Sequence, residues 1–180
     1  MKETFIQTYT GKKFDYLAAT TDDIDIEDIA NALANICRFS GHVPEFYSVA
    51  QHSVLCSQIV PVEYAFEALM HDAAEAYVQD MPAPLKALLP DYRNMERMVD
   101  DLIRQKFSLP RDHSPVVKRA DLTMLATERR DLEIDDGTRW SVLEGIPESD
   151  IIQVYPLRPG QAYALLMNRF NELTEIRKCA

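Results

Sequence analysis

Hydrophobic residues recur at helical spacing along most of the chain, and this pattern predicts helices throughout. Residues 26–38 carry an apolar stripe behind Asp25, a residue type that caps helix N-termini well. Ser48, followed three residues later by Gln51, forms a capping-box pattern at the start of a second helix, which Pro61 ends. Further helical stretches are predicted at residues 63–78, 86–89, 91–107, 115–134 and 161–176.

Two stretches depart from the helical pattern. Weak alternation over residues 5–15, around Thr10 and Gly11, predicts a short β-hairpin or an extended arm. Residues 135–156 lack periodicity, so we expect an irregular segment with Trp140 as its anchor. Because no linker divides the 180 residues, the prediction is a single all-α domain that spans the whole chain.

Charge and cysteine content exclude several classes of protein. A formal net charge of −10 argues against a binder of nucleic-acid polymers or anionic membranes, which needs a basic face. A small phosphorylated substrate stays compatible, because a few local cations suffice. The three cysteines are widely spaced and indicate neither a disulfide framework nor a zinc finger. No signal pattern or long apolar run is present, so we expect a cytoplasmic protein.

The candidate chemistry begins with the adjacent pair His71 and Asp72. Imidazole and carboxylate together suit Mn, Fe, Co, Ni or Zn, but two ligands make a poor site. His52 and Asp121 lie in otherwise apolar stretches of other predicted helices, where an unpaired charge is costly. They are therefore the candidates for further ligands.

The order His, His-Asp, Asp over successive helices resembles the HD superfamily of metal-dependent phosphohydrolases. The similarity is closest to its small 5′-deoxynucleotidase-like branch and to phage-type deoxynucleoside-triphosphate hydrolases, and it covers residues 29–131. It rests on segments 49–53 (VAQHS), 70–75 (MHDAAE), 80–86 (DMPAPLK) and 117–121 (VKRAD). The resemblance implies an HD-type helical bundle.

The resemblance also implies a set of metal ligands: His52, His71, Asp72 and Asp121. Two neutral imidazoles and two carboxylates neutralise a dication and leave positions for water and a phosphate oxygen. The ion is Co, Mn, Zn, Fe or Ni, which the sequence does not distinguish. With a triphosphate substrate, additional Mg or Mn is expected.

Glu75 and Asp80 are the candidate catalytic residues. Glu75 follows His71 by four residues, so both lie on one helical face. Glu75 is expected to orient the attacking water, accept its proton or protonate the leaving group. The family gives Asp80 a similar acid or metal-assisting role. With a triphosphate substrate the two carboxylates could instead hold a second cation.

Substrate binding is expected to depend on Arg38, which stands where the family carries a phosphate-binding arginine. A guanidinium can clamp phosphate with two hydrogen bonds. Lys86 and Lys118 are secondary candidates. Phe39 stands where the deoxynucleotidase branch typically carries Trp, whose ring can crowd a ribose 2′-hydroxyl. Segment 38–42 (RFSGH) is more similar to phage and prophage versions.

The function that the resemblance implies is metal-dependent hydrolysis of deoxynucleoside 5′-monophosphates. The close alternative is a deoxynucleoside triphosphate, dATP in particular, with release of triphosphate. A different class is a catalytically silent metal-binding HD module that regulates or scaffolds; retention of Glu75, Asp80 and Arg38 argues against it. Family members often self-associate, which suggests a homo-oligomer formed through helix 91–107 or the final helix.

Overall fold

Helices make up most of the computed structural model, which describes residues 3–179. In chain order they are α1 (Ile26–Asn35), α2 (Val49–Gln58), α3 (Val62–Met70), α4 (Glu75–Val78), α5 (Ala83–Lys86), α6 (Pro90–Phe107), α7 (Pro115–Asp131) and α8 (Pro159–Cys179). Short 3-10 turns lie at Thr21–Asp23, Arg38–Gly41 and Ser141–Leu143. The predicted helical class, with a short N-terminal hairpin, is confirmed.

The hairpin consists of β1 (Phe5–Gln7) and β2 (Lys13–Asp15), which pair antiparallel with Ile6 opposite Phe14. Gly11 has a φ of +84°, a left-handed conformation that costs glycine little, and it allows the chain to reverse. Phe14 is fully buried, so the hairpin is anchored to the helical core.

Local capping residues start α1 and α2 as predicted. The Asp25 side chain accepts a hydrogen bond from the backbone N–H of Glu27, and Ser48 Oγ accepts one from the backbone N–H of Gln51 at 3.2 Å. The second half of the capping box is absent, because the Gln51 amide instead bonds the backbone of Tyr155 and Leu157. Gln51 thereby ties the segment before α8 to α2.

The apolar side chains form two clusters. The larger joins the hairpin to α1, α2, α3, α6 and α8, and includes Ile29, Leu33, Leu69 and Leu166. The smaller lies where α7 packs against α2 and α3, and includes Tyr47, Val117 and Met124. The elements that carry the candidate ligands, α2, α3 and α7, therefore meet beside this smaller cluster.

The prediction of one continuous helix through residues 63–78 was wrong. Helix α3 ends at Met70, and α4 begins only at Glu75. The backbone N–H groups of Ala73 and Glu75 bond the carbonyls three residues earlier, which is the tighter 3-10 pattern. Because side chains three residues apart are eclipsed in that geometry, Asp72 and Glu75 project from the same side of the turn.

Other boundaries also differ from the predictions. Helix α1 ends at Asn35 rather than near Arg38, and α7 ends at Asp131 rather than 134. The short turn before α6 is Ala83–Lys86 instead of 86–89, and α8 extends beyond 161–176 at both ends. Within residues 3–179, no helix has both the length and the apolar character that crossing a membrane requires.

Candidate metal centre

Two imidazoles and two carboxylates converge where α2, α7 and the turn between α3 and α4 meet. We call His52, His71, Asp72 and Asp121 the His–Asp cluster. Nε2 of His52 lies 3.2 Å from Oδ1 of Asp121 and 3.6 Å from Oδ2 of Asp72. Nε2 of His71 lies 3.2 Å from the same Asp72 oxygen and 3.9 Å from the Asp121 oxygen. The predicted ligands are therefore neighbours in space.

Each imidazole is oriented by a hydrogen bond at Nδ1, the ring nitrogen opposite Nε2. Nδ1 of His52 lies 2.5 Å from Oε1 of Glu128, and Nδ1 of His71 lies 2.8 Å from the carbonyl oxygen of Ala68. Partners of this kind fix the tautomer of metal-binding histidines. Both rings consequently present Nε2, the ligand atom, to the centre of the cluster.

The spacing of these atoms fits a divalent ion. Ligand atoms about 2.1 Å from an ion are about 3.0–3.4 Å apart in octahedral or tetrahedral geometry, close to the separations within the cluster. Nε2 of His71 is buried and has no hydrogen-bond partner among the described residues, although an Asp72 oxygen lies nearby. A cation would satisfy that nitrogen.

Cys56 lies beside the cluster, one helical turn after His52. Its Sγ is 3.4 Å from Nε2 of His52. Ligand atoms of His52, Cys56, His71 and Asp121 all lie within 4.8 Å of one another. The structure therefore offers a thiol as well as the Asp72 carboxylate for the remaining position.

Electrostatics keep the carboxylates of the cluster charged. Burial would raise the pKa of Asp72, but the adjacent His71 outweighs it and the pKa falls to about 2. The pKa of Asp121 is also lowered, because the nearby imidazoles of His52 and His71 outweigh burial. Burial would lower the pKa of His71, yet Asp72 and Asp121 raise it well above its usual value. Both carboxylates are therefore ionised and available as ligands for a cation.

Glu128 is fully buried behind His52 and connects the cluster to Arg38. Its Oε2 accepts bonds from Arg38 Nε at 3.2 Å and Nη2 at 3.0 Å, and its Oε1 accepts one from the Tyr47 hydroxyl at 2.9 Å. Arg38 and His52 outweigh burial and lower the pKa of Glu128. Nη1 of Arg38 lies 3.8 Å from Oδ2 of Asp72. Arg38 therefore helps to position both Glu128 and Asp72.

Unusual backbone follows Arg38. Phe39 and Ser40 have φ values of 55° and 52°, a conformation that non-glycine residues adopt at a cost, and Gly41 follows with φ +78°. The backbone N–H of Arg38 bonds the Tyr47 carbonyl at 2.9 Å and closes this loop. The Phe39 side chain packs against the smaller apolar cluster.

The cluster opens into a cavity of about 430 Å³, which we call the site cavity. Small-molecule sites typically enclose about 300–1,000 Å³. His71, Asp72 and Asp121 line it on the cluster side. The other charged or polar lining residues are Glu75, Lys86, Arg93, Glu96, Arg97, Asp100, His113 and Lys118. The cavity can therefore hold a small anionic ligand against the cluster.

Glu75 and Asp80 both lie near the cluster. Glu75 is buried at the start of α4, and its Oε2 has no hydrogen-bond partner among residues 3–179. Burial, with Asp72 and Asp80 nearby, raises the pKa of Glu75 well above its usual value. Burial also raises the pKa of the half-buried Asp80. Glu75 is therefore suited to carry a proton at the cavity.

Comparison with known proteins shows to which family the chain is related. No protein-family model matches it. The uncharacterized protein YfdR of Escherichia coli (strain K12) is 63% identical over 177 residues, which cover 98% of this chain and 99% of that protein. The chain belongs to the YfdR family. An uncharacterized protein of Rhodobacter capsulatus is 32% identical over 130 residues, 67% of this chain and 66% of that protein.

In this YfdR-family chain the site cavity gathers most of the predicted site residues. Glu75, Lys86 and Lys118 line it together with three members of the His–Asp cluster, while His52 lies behind them, fully buried. Lys86 is paired with Glu96 at 2.5 Å. Phe39 is not among the lining residues, so the ring predicted to contact the sugar packs elsewhere.

Sequence reasoning missed Glu128, Cys56 and the cavity-facing residues of α6. Glu128 follows Asp121 by seven residues, two helical turns, so a shared face was detectable. Cys56 follows His52 by four residues, about one helical turn, so their shared face was also detectable. Arg93 and Arg97 have the spacing of an ordinary solvated helical face, so nothing local marked them.

Proposed function

We propose that this YfdR-family protein is a metal-dependent phosphohydrolase of the HD type that acts on deoxynucleotides. The observation that carries the proposal is the convergence of two histidine Nε2 atoms and two carboxylates, which lie 3.2–3.9 Å apart. They lie at the inner end of a cavity that is also lined by lysine and arginine side chains. The order of the ligands along α2, the α3–α4 turn and α7 supports the HD assignment.

The His–Asp cluster would hold the divalent ion. Asp72 is favoured over Cys56 as a ligand, because the Asp72 carboxylate is already ionised whereas a thiol must first lose its proton. A bound ion supplies Lewis acidity, which polarises phosphoryl oxygens and acidifies water. Mixed nitrogen and oxygen ligation is compatible with Co, Mn, Zn, Fe or Ni.

The residues of the chain supply the proton transfer and the positioning. Glu75, which lacks a hydrogen-bond partner at Oε2 among the described residues, would accept a proton from the attacking water or donate one to the leaving oxygen. Asp80 would share this role. Arg38 donates its Nε–H and one Nη2–H to Glu128, so the two N–H groups of Nη1 and the second one of Nη2 remain for a phosphate oxygen.

The first candidate substrate is a deoxynucleoside 5′-monophosphate. A specific observation favours a deoxynucleoside triphosphate as the second candidate. Arg93, Arg97 and Lys118 line the site cavity and make no ion pair within the part of the chain that the structure describes. These three cations provide more positive charge than one phosphate needs. With a triphosphate, Glu75 and Asp80 would instead hold additional Mg or Mn, which would offset the negative charge of the phosphates.

Product analysis tests the proposal. The protein is loaded separately with Co, Mn and Zn and offered dAMP, dATP, AMP and ATP. Orthophosphate from dAMP alone establishes the monophosphate substrate, and triphosphate plus deoxynucleoside from dATP establishes the triphosphate substrate. Equal turnover of AMP or ATP would mean that the site does not exclude a ribose 2′-hydroxyl.

No release with any ion and any of these nucleotides would overturn the proposal. It would favour the alternative of a metal-binding module without catalysis, provided that the same samples contain bound metal.

A further inference from the structure

A buried arginine outside the His–Asp cluster fixes the loop between α6 and α7. Arg104 is only 4% exposed, and each part of its guanidinium has a partner. Nε donates to Oδ2 of Asp100 at 2.7 Å, Nη1 to the carbonyl of Pro110 at 2.5 Å, and Nη2 to Nε2 of His113 at 2.8 Å. Arg104 therefore fixes both the loop and the imidazole of His113.

The bond from Arg104 determines the tautomer of His113. A guanidinium has donors only, so Nε2 of His113 must be the acceptor and the ring proton must lie on Nδ1. Burial and the positive charge of Arg104 lower the pKa of His113, which keeps the ring neutral. The ring consequently has one N–H donor with a fixed direction.

That donor is not buried, and it belongs to a residue that lines the site cavity. His113 lines the same cavity as His71 and Asp121, and its side chain is 30% exposed. Nδ1 of His113 makes no hydrogen bond to the described residues, and it is not buried. It can therefore donate to a ligand in the cavity.

We infer that His113 is a specificity-determining residue whose Nδ1–H donates to a neutral acceptor on the nucleoside half of the substrate. The inference rests on the proposed function. Phosphate oxygens have Lys86, Lys118, Arg93 and Arg97 as charged partners in the same cavity. A neutral donor held by a buried arginine matches instead a carbonyl oxygen or ring nitrogen of a base, or a sugar oxygen.

Two conservative variants separate this role from a purely structural one. A glutamine amide reaches about as far as Nε2, so His113→Gln keeps an acceptor for Arg104 and loses the donor at Nδ1. An asparagine amide reaches about as far as Nδ1, so His113→Asn keeps the donor and loses the acceptor. The pair thus divides the two functions of the ring.

Calorimetric binding provides the readout, with the same divalent ion present throughout and with Glu75→Gln added to every protein compared, so that turnover is slow during the titration. The probes are dAMP and dATP and, without a nucleoside, inorganic phosphate and triphosphate. His113→Gln is expected to weaken nucleotide binding about five- to tenfold, the loss of one neutral hydrogen bond, and to leave binding of the inorganic probes within about twofold. His113→Asn is expected to retain nucleotide affinity but to melt at a lower temperature.

Unchanged nucleotide binding in His113→Gln, or equal loss for all probes, would overturn the inference. If the parent binds dAMP or dATP but releases no phosphate, the proposed function fails, while the binding comparison still decides the role of His113. If the parent binds neither nucleotide, the role assigned to His113 fails as well.

Discussion

Replacing Asp121 with asparagine is expected to weaken divalent-ion binding by more than about 100-fold, because loss of an outer-shell partner alone typically costs about 10- to 100-fold. Oδ1 of Asp121 lies 3.2 Å from Nε2 of His52, within the ligand set. An amide is neutral and a poorer ligand. The Asp121 side chain is 40% exposed, so the variant should fold. Metal content by mass spectrometry and competition with a fluorescent chelator measure the effect.

Asp101→Asn is the matched control. Asp101 is an exposed residue of α6 without a hydrogen bond or ion pair to the described residues, and its replacement removes the same charge from the chain. The control should bind metal as the parent does. Parental affinity in Asp121→Asn would mean that the His–Asp cluster is not the metal site.

Replacing Glu75 with glutamine is expected to lower phosphate release by about 10²- to 10⁴-fold, the usual contribution of general acid–base catalysis. Glutamine keeps the size of the side chain but cannot take up or give up the proton. Because Glu75 lies in the cavity outside the His–Asp cluster, metal content and melting temperature should change little. Steady-state phosphate release, corrected for bound metal, is the measurement.

Glu63→Gln provides the comparison, since Glu63 is an exposed glutamate on α3. It should leave phosphate release unchanged. Release at the parental rate in Glu75→Gln would remove Glu75 from the proton transfer. Joint loss of metal and release would instead make Glu75 a ligand.

Features with a short-range cause were predictable from the sequence. Gly11 predicted the hairpin, and Asp25 and Ser48 predicted the starts of α1 and α2, because the turn or capping bond forms within a few residues. The helix starting at Pro115 follows from the preference of proline for the first turn. Each of these signals is complete within its own segment.

The break between α3 and α4 had no such signal. Residues 70–75 (MHDAAE) contain no Gly or Pro, and alanine favours a continuous helix. The tightened turn places His71 and Asp72 against His52 and Asp121, which come from distant positions in the chain. Tertiary packing decides the local geometry there, and the hydrophobic periodicity of one segment contains no information about that packing.

The outer parts of the site were hidden for the same reason. Glu128 lies among charged residues in residues 128–131 (ERRD), which together look solvated, yet its side chain is completely buried against Arg38. His113 lies in a loop, where a histidine most often faces solvent. Arg104 of α6 holds His113 at the site cavity, and the packing of α7 against α2 brings Glu128 to His52.

Metal add-back to chelator-stripped protein tests metal-dependent hydrolysis most directly, with bound metal and phosphate release measured on the same samples. The account predicts that release from dAMP or dATP rises in proportion to bound Co, Mn or Zn and levels off at about one tightly bound ion per chain. Undiminished release by the stripped protein would contradict it, as would absence of release at every metal loading.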